Sequence, residues 1–223
     1  MKAASAPALI AHVVHHFGTG GMENGMVNLI NRLPPERYRH AIICLSGHGD
    51  FKQRIQNRSV EFYDIGKRPG HDLSWFLKLY RLLRLLRPDI LHTRNLSTIE
   101  AQFVGALARV PKRIHGEHGR DVFDLEGKNR KYNLLRKAAR RVIHQYIAVS
   151  RDLAGWLRDT VGVPEPSIAQ IYNGVDRDRF HPRQAERPDL GRPEFFAGAR
   201  CVIGSIGRMA AVKDYPTLAR AFI

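Results

Sequence analysis

The chain has 223 residues and carries 36 Lys and Arg against 21 Asp and Glu, a formal net charge of +15 with 43% hydrophobic residues. That hydrophobic content suits a globular core, and the basic excess points to anionic partners: nucleic acid, an acidic membrane surface or phosphorylated small molecules. No apolar run approaches the ~20 residues of a membrane span, and the two cysteines, Cys44 and Cys201, lie far apart in apolar runs, which excludes a disulfide framework or zinc knuckle and reads as buried thiols in a reducing compartment.

Residues 2–14 faintly resemble a signal peptide, but Pro7 and His12 interrupt them and a glycine-rich turn follows directly. They are read as the entry into the first strand, residues 10–15, of a cytoplasmic protein. Residues 21–33 have helical periodicity, with Met22, Met26, Leu29, Ile30 and Leu33 apolar, and Pro34-Pro35 ends them. Between strand and helix lies Phe17-Gly18-Thr19-Gly20-Gly21-Met22-Glu23-Asn24-Gly25. Glycine lets a ligand approach bare backbone, and the following helix points its unpaired N–H groups and positive dipole end at the same place. The turn is either a site for an anionic or polyhydroxylated ligand or a tight connection that binds nothing. A dinucleotide fingerprint starting at Gly18 needs glycine where Glu23 stands, which counts against NAD or FAD. No Gly-Lys-Ser/Thr follows, which excludes a P-loop.

Further strands are expected at residues 40–45, 60–65, 89–93, 112–115, 146–149 and 169–172. Between them come a short helix at 51–57, a helix capped by Asp72 and ended by Pro88, a helix opened by the capping box Ser97-Thr98-Ile99-Glu100 and running to Arg109, a basic helix at 129–141 and a helix at 151–161. Strands alternating with helices predict an α/β, Rossmann-like, doubly wound parallel sheet. Residues 1–176 are expected to form this domain, residues 177–199 a polar, proline-containing linker that proteases cut, and residues 200–223 the first βα unit of a truncated second Rossmann-like domain, opening with a strand at 201–206.

Gly20-Gly21-x-Glu23 at the mouth of the first βα unit resembles the signature of the GT-B glycosyltransferases of family 4, and the resemblance continues along the chain. It includes the histidine loop His115-Gly116-Glu117-His118-Gly119-Arg120-Asp121, the serine after a later strand in Val149-Ser150, the Asn173-Gly174-Val175-Asp176 turn, and the loop from Gly207-Arg208 to Lys213-Asp214. The wording of His92-Thr93-Arg94-Asn95 and of the histidine loop resembles sugar transferases associated with PEP-CTERM/exosortase exopolysaccharide systems.

The resemblance implies an enzyme of hexosyltransferase type that moves a sugar from a nucleotide diphosphate to a glycan or lipid-linked acceptor. The nucleotide sugar is a substrate; no cofactor and no metal is implied. Gly20 and Gly21 line the cleft beside the diphosphate and the sugar, and His118 contacts the donor sugar as the catalytic histidine. Arg208 and Lys213 neutralise the leaving diphosphate, and Glu23, Arg120, Asp121, Ser150 and Asn173 belong to the acceptor side and the cleft. The family's acidic E-x7-E motif is expected beyond Ile223, so residues 1–223 alone are expected to be inactive.

Basic residues cluster at Lys78, Arg81, Arg84 and Arg87, and again at Lys128, Arg130, Lys131, Arg136, Lys137, Arg140 and Arg141. They read either as solvated helix faces or as a peripheral contact with anionic lipid at the inner face of the cell membrane, at ~1 kcal/mol per basic residue near the surface. Two other classes compete. A polyanion- or nucleic-acid-binding module accounts for the charge, but the sequence holds no recognition-helix, RNP or zinc-finger pattern. A metal hydrolase could use His115, Glu117 and His118.

Overall fold

The computed structural model describes residues 6–121, 123–178, 180–182, 197–198, 200–207, 209 and 211–222. They fall into two compact units, one ending at Gly174 and one beginning at Val175.

In the first unit the strands are β1 (Ala8–Val14), β2 (Tyr38–Cys44), β3 (Glu61–Asp64), β4 (Ile90–Arg94), β5 (Lys112–Glu117), β6 (Gln145–Ala148) and β7 (Ile168–Gln170). They form one seven-stranded sheet in the order β3-β2-β1-β4-β5-β6-β7, parallel throughout. The connecting helices are α1 (Gly21–Arg32), α2 (Ser74–Leu86), α3 (Ala101–Leu107), α4 (Arg130–Ala139) and α5 (Arg151–Trp156). This is the doubly wound, Rossmann-like α/β sheet expected. The chain steps outward from β1 to β3, returns to β4 and continues to β7, so the order reverses between β1 and β4. A crevice opens at such a reversal, outside the carboxyl ends of the strands.

Strand periodicity assigns the faces. Ala11, Val13, Ile43 and Leu91 share a core with Trp75, Leu79 and Leu83 of α2 and Val104 of α3. The opposite face of β1 and β2 carries Val14, Ile42 and Cys44 against Met26, Val27 and Ile30 of α1. A further cluster joins Tyr146 and Ala148 of β6 to Ala139 of α4 and Leu153 and Trp156 of α5. Each fully buried aliphatic side chain stabilises the sheet by about 1.5–3 kcal/mol. Burial on both faces explains the near-continuous apolar runs of β1 and β2.

Local signals and tertiary contacts disagree in places. The capping box at Ser97 does not form: Leu96–Thr98 is a 3₁₀ turn, and no side chain caps α3. Thr98 Oγ1 instead accepts from the Arg94 N–H and donates to the Arg94 carbonyl, at 2.8 and 2.7 Å. The basic helix is shorter than expected. Asn129 caps it by accepting from the Lys131 and Tyr132 N–H groups, and its Arg136 is buried rather than solvated.

In the second unit a 3₁₀ turn (Ala211–Lys213) leads to α6 (Tyr215–Arg220), whose Asp214 carboxylate accepts from the Thr217 N–H. Residues 201–206 are not a strand, contrary to expectation. A strand needs a neighbour to complete its ladder; among the described residues none lies beside them, and Val202, Ile203 and Ile206 are exposed. Cys201 is likewise exposed rather than buried. Cys44 is fully buried, and burial pushes its thiol up to about 12.

Candidate active site

The glycine-rich turn is pinned at its start by Phe17. Its backbone bridges the loop after β2, with Phe17 N–H donating to Gly47 O and Gly49 N–H to Phe17 O, at 3.2 and 2.9 Å. Its ring is fully buried, 5.9 Å from Phe51 and 5.7 Å from Phe62. The turn then enters α1 with Gly20 as N-cap in extended conformation, and no side chain caps the helix. The first-turn N–H groups therefore face the crevice without a side-chain acceptor, the arrangement that receives anions. The Glu23 carboxylate lies over Gly20, where a Cβ would strike it. A Cβ at Gly20 would move only this flexible carboxylate end, and the extended backbone there is open to any residue.

β4 supplies the next wall. His92 and Arg94 project from the same face as His12, which is paired with His92 in register. Arg94 is 3% exposed. Its Nη2 lies 3.3 Å from His12 Nδ1 and 3.2 Å from His92 Nδ1, and its Nη1 is buried with no hydrogen-bond partner. Burial lowers the guanidinium to about 10, with the charge of Glu23 acting the other way. Burial, followed by the charge of Arg94, holds His12 and His92 well below the ordinary imidazole value. His12 Nε2 is 3.0 Å from His40 Nδ1, which continues the buried chain.

Asn95, just past β4, adopts φ 54°, ψ 174°, a region that a non-glycine residue occupies only under constraint. The constraint is a latch. Its N–H donates to Gly116 O at 2.8 Å, its Oδ1 accepts from the His118 N–H at 2.7 Å, and its Nδ2 contacts Met22 Sδ at 3.9 Å. One side chain thus ties the histidine loop to β4 and to the first turn of α1.

His118 turns back over Gly116: a Cβ there would sit 2.8 Å from His118 Nε2 and 3.5 Å from His92 Nε2. Both ring nitrogens of His118 are buried without a hydrogen-bond partner. Burial, then the charges of Arg94 and His115, lower its pKa to about 4, with Glu117 opposing. At neutral pH His118 is an uncharged imidazole with free hydrogen-bonding capacity, suited to hydroxyl groups rather than to anions.

His115 and Glu117 lie on the other face of β5. His115 Nδ1 meets Thr93 Oγ1 at 2.7 Å, and its Nε2 lies 3.4 Å from Glu117 Oε1. Arg136 donates through Nε to Glu117 Oε1 and through Nη2 to Asp121 Oδ2, at 3.1 and 3.0 Å, with its guanidinium 4.8 Å from the Trp156 ring centre. Burial alone raises the Glu117 carboxyl, but His115 and Arg136 outweigh it and hold the carboxyl below its usual value. The set His115, Glu117 and His118 is therefore split between two faces. Among the described residues no group of three or more His, Cys, Asp or Glu side chains could hold a metal ion, so the hydrolase arrangement is not assembled.

The other expected residues have varied placements. Arg120 pairs with Asp152 at 2.8 Å and donates to Leu125 O at 3.2 Å. Asp121 is held inward by Arg136, and burial is the main cause of its raised pKa. Ser150 accepts from the Leu153 N–H and caps α5. Asn173 is exposed beyond β7. The stem of Lys213 lies over Gly207, with Cε 3.7 Å from where a Cβ would stand. Arg208 lies outside the described residues. Sequence reasoning assigned no role to Arg94 or Asn95 and read Arg136, which is buried, as part of a solvated or lipid-facing basic helix. Its one signal was the charged ending His92-Thr93-Arg94-Asn95 of an otherwise apolar strand.

The chain belongs to Glycosyltransferase Family 4, whose sequence profile matches residues 19–179. A comparison with curated proteins gave no match. Among solved structures, the chain resembles Anabaena Alr3699/HepE in complex with UDP and glucose, at 18% identity and TM-score 0.70, covering 96% of this chain and 57% of that one. A glycosyltransferase from Rickettsia africae matches at 17% identity and TM-score 0.62, with 87% and 51% covered. UDP-GlcNAc 2-epimerase from Neisseria meningitidis, bound to UDP-GlcNAc, matches at 16% identity and TM-score 0.52, with 74% and 46% covered. These likenesses show the fold, which transferase and epimerase share. The chain spans about half the length of each solved structure, 46–57%.

Proposed function

We propose that residues 1–176 form the acceptor-side domain, and residues 200–223 the first part of the nucleotide-sugar-binding domain, of a GT-B glycosyltransferase that moves a sugar from a nucleoside diphosphate to an acceptor. The observation that carries this reading is the family match over residues 19–179, joined to an uncapped helix terminus and a neutral, unpartnered His118 at the same end of the sheet. The likeness to HepE, a structure that holds UDP and glucose, supports a uridine nucleotide sugar as donor.

Each residue then has a defined task. The first-turn N–H groups after Gly20 and Gly21 face the diphosphate, whose negative charge grows as the glycosidic bond breaks. Arg208 and Lys213 match the family pattern of residues that neutralise a leaving diphosphate. β1 and β5 flank β4, so the turn and the histidine loop open at the same end of the sheet. Uncharged at neutral pH, His118 hydrogen-bonds sugar hydroxyls. Arg120 and Glu23 edge the acceptor side; Ser150 and Asp121 act by holding α5 and the histidine loop in place.

The finer reading is a hexosyltransferase acting on a glycan or lipid-linked acceptor in exopolysaccharide synthesis, at the inner face of the cell membrane. The exposed Arg81, Arg84 and Arg87 of α2 and its end, and Lys131 and Lys137 of α4, support contact with anionic lipid. The test is release of nucleoside diphosphate from a panel of nucleotide sugars by the complete polypeptide that contains these residues. Release that depends on donor identity and falls about 100-fold or more in His118→Ala is expected, the scale of removing a group that acts on the reacting sugar. Absence of release from any donor, with the fold intact, overturns the reading.

A further inference from the structure

A buried guanidinium is costly unless its charge and all its N–H groups are satisfied. Arg94 is 3% exposed and has no carboxylate within ion-pairing distance among the described residues. Its Nη2 reaches only histidine nitrogens, and its Nη1 has no partner. Glu23, whose field reaches it, lies over Gly20 and makes no ion pair with Arg94 among the described residues.

Arginine is a donor only, and this dictates the histidine tautomers. Nη2 donates to Nδ1 of His12 and Nδ1 of His92, so each ring carries its proton on Nε2. His12 hands its proton on toward His40 Nδ1. His92 Nε2–H has no acceptor. It is aimed at the space above Gly116, the register partner of Arg94 on β5. A free His92 N–H thus stands beside a spot from which glycine has removed the side chain, and the buried Arg94, with its own free N–H, lies on the neighbouring strand in register with that glycine. The ring covering that spot belongs to His118, and no hydrogen bond holds either of its nitrogens down.

We propose that Arg94 and His92, floored by Gly116, form a subsite for a negatively charged oxygen carried by a sugar, a carboxylate or a phosphate. The sugar part of this inference rests on the glycosyltransferase reading. The anion displaces the His118 ring and supplies the missing acceptor to Arg94 Nη1 and His92 Nε2. It also pairs directly with a charge that otherwise feels a carboxylate, Glu23, only through its field. An uncharged sugar offers hydroxyls but no charge, so the subsite selects acidic sugars.

The experiment follows the histidine ring ¹⁵N resonances of the chain while glucuronate, glucose 6-phosphate, inorganic phosphate or glucose is added. Saturable millimolar shifts of the His92 Nε2 signal are expected with the acidic sugars. Glucose should bind at least about tenfold more weakly, the loss of a charge-assisted hydrogen bond. The carboxylate and phosphate arms identify the anion, and inorganic phosphate separates recognition of the sugar from recognition of charge. Arg94→Met should abolish the shift. Gly116→Ala should also abolish it while retaining Arg94 and the fold, because its Cβ fills the floor and displaces only side-chain tips. Equal affinity for glucose and glucuronate, binding that persists in both variants, or no saturable shift with any of the anions overturns the proposal. If the complete polypeptide uses nucleotide sugars without this selectivity, the subsite alone is refuted. If it uses none, the transferase reading fails, and the spectra still decide whether the subsite exists.

Discussion

Replacing Arg136 by Met tests whether the face behind the histidine loop is held by charge. Arg136 is 2% exposed and serves Glu117, itself 1% exposed, and Asp121 together. Methionine keeps much of the apolar stem but leaves a buried carboxylate whose remaining neighbour is His115. Removing one partner of a buried pair costs about 3–5 kcal/mol, against a total stability of about 5–15 kcal/mol for a domain. At a urea m-value of about 2 kcal/mol/M, the unfolding midpoint should fall by ~2 M. Tryptophan fluorescence reports the transition, since Trp75 and Trp156 both lie in the first unit and Trp156 stacks on the substituted side chain. Adding Glu117→Gln removes the stranded charge, so the double variant should lose less than the sum of the two singles. A single-variant loss below about 1 kcal/mol, or strict additivity, would refute the claim that this network carries charge on both sides.

Acid stability should follow the buried histidines. His12, His40, His92 and His118 have folded-state pKa values below the ordinary 6.5, mainly through burial. The unfolded chain therefore binds more protons below pH 6.5, and stability should be full above that value. It should fall as pH drops through the window reaching about 4 for His118; urea midpoints unchanged across that window would contradict the burial of neutral rings. Arg94→Met removes one of the charges that lowers His12, His92 and His118, so its acid sensitivity should be shallower by the same titration. Binding to vesicles containing anionic lipid should weaken as salt rises, because exposed charges are screened over ~10 Å at 0.1 M. It should drop further in Arg81→Glu/Arg84→Glu, and equal binding to neutral vesicles would refute an electrostatic contact.

The sheet was legible because its signals are local. Apolar runs such as Ile42-Ile43-Cys44 mark strands buried on both faces, and periodic residues such as Met26 and Ile30 mark the helix that covers one of them. The glycine-rich turn and the histidine loop were legible as motifs, and the fold brings both to the carboxyl end of the sheet, on the two strands that flank β4. What stayed hidden depends on distant partners. Arg136 looks like any residue of a basic helix until Glu117, 19 positions away, is placed beneath it. Arg94 meets His12 across 82 positions, so a buried cation was invisible inside a strand ending. The capping box expected of Ser97 and Glu100 gave way to a 3₁₀ turn in which Thr98 bonds the Arg94 backbone, one local preference overriding another. Residues 201–206 have a strand's composition, but ladder pairing is a property of two segments and cannot be read from one.

The central claim places the donor's diphosphate on the start of α1 and its sugar at His118. The most direct measurement is a crystal structure of the complete polypeptide that contains these residues, with a nucleotide sugar bound. The account predicts phosphate oxygens within hydrogen-bonding distance of the Gly21 N–H and a sugar hydroxyl on a ring nitrogen of His118. A nucleotide bound instead at the opposite end of the sheet, in the cavity of about 330 Å³ lined by Arg84, Arg87 and Arg109, would contradict it.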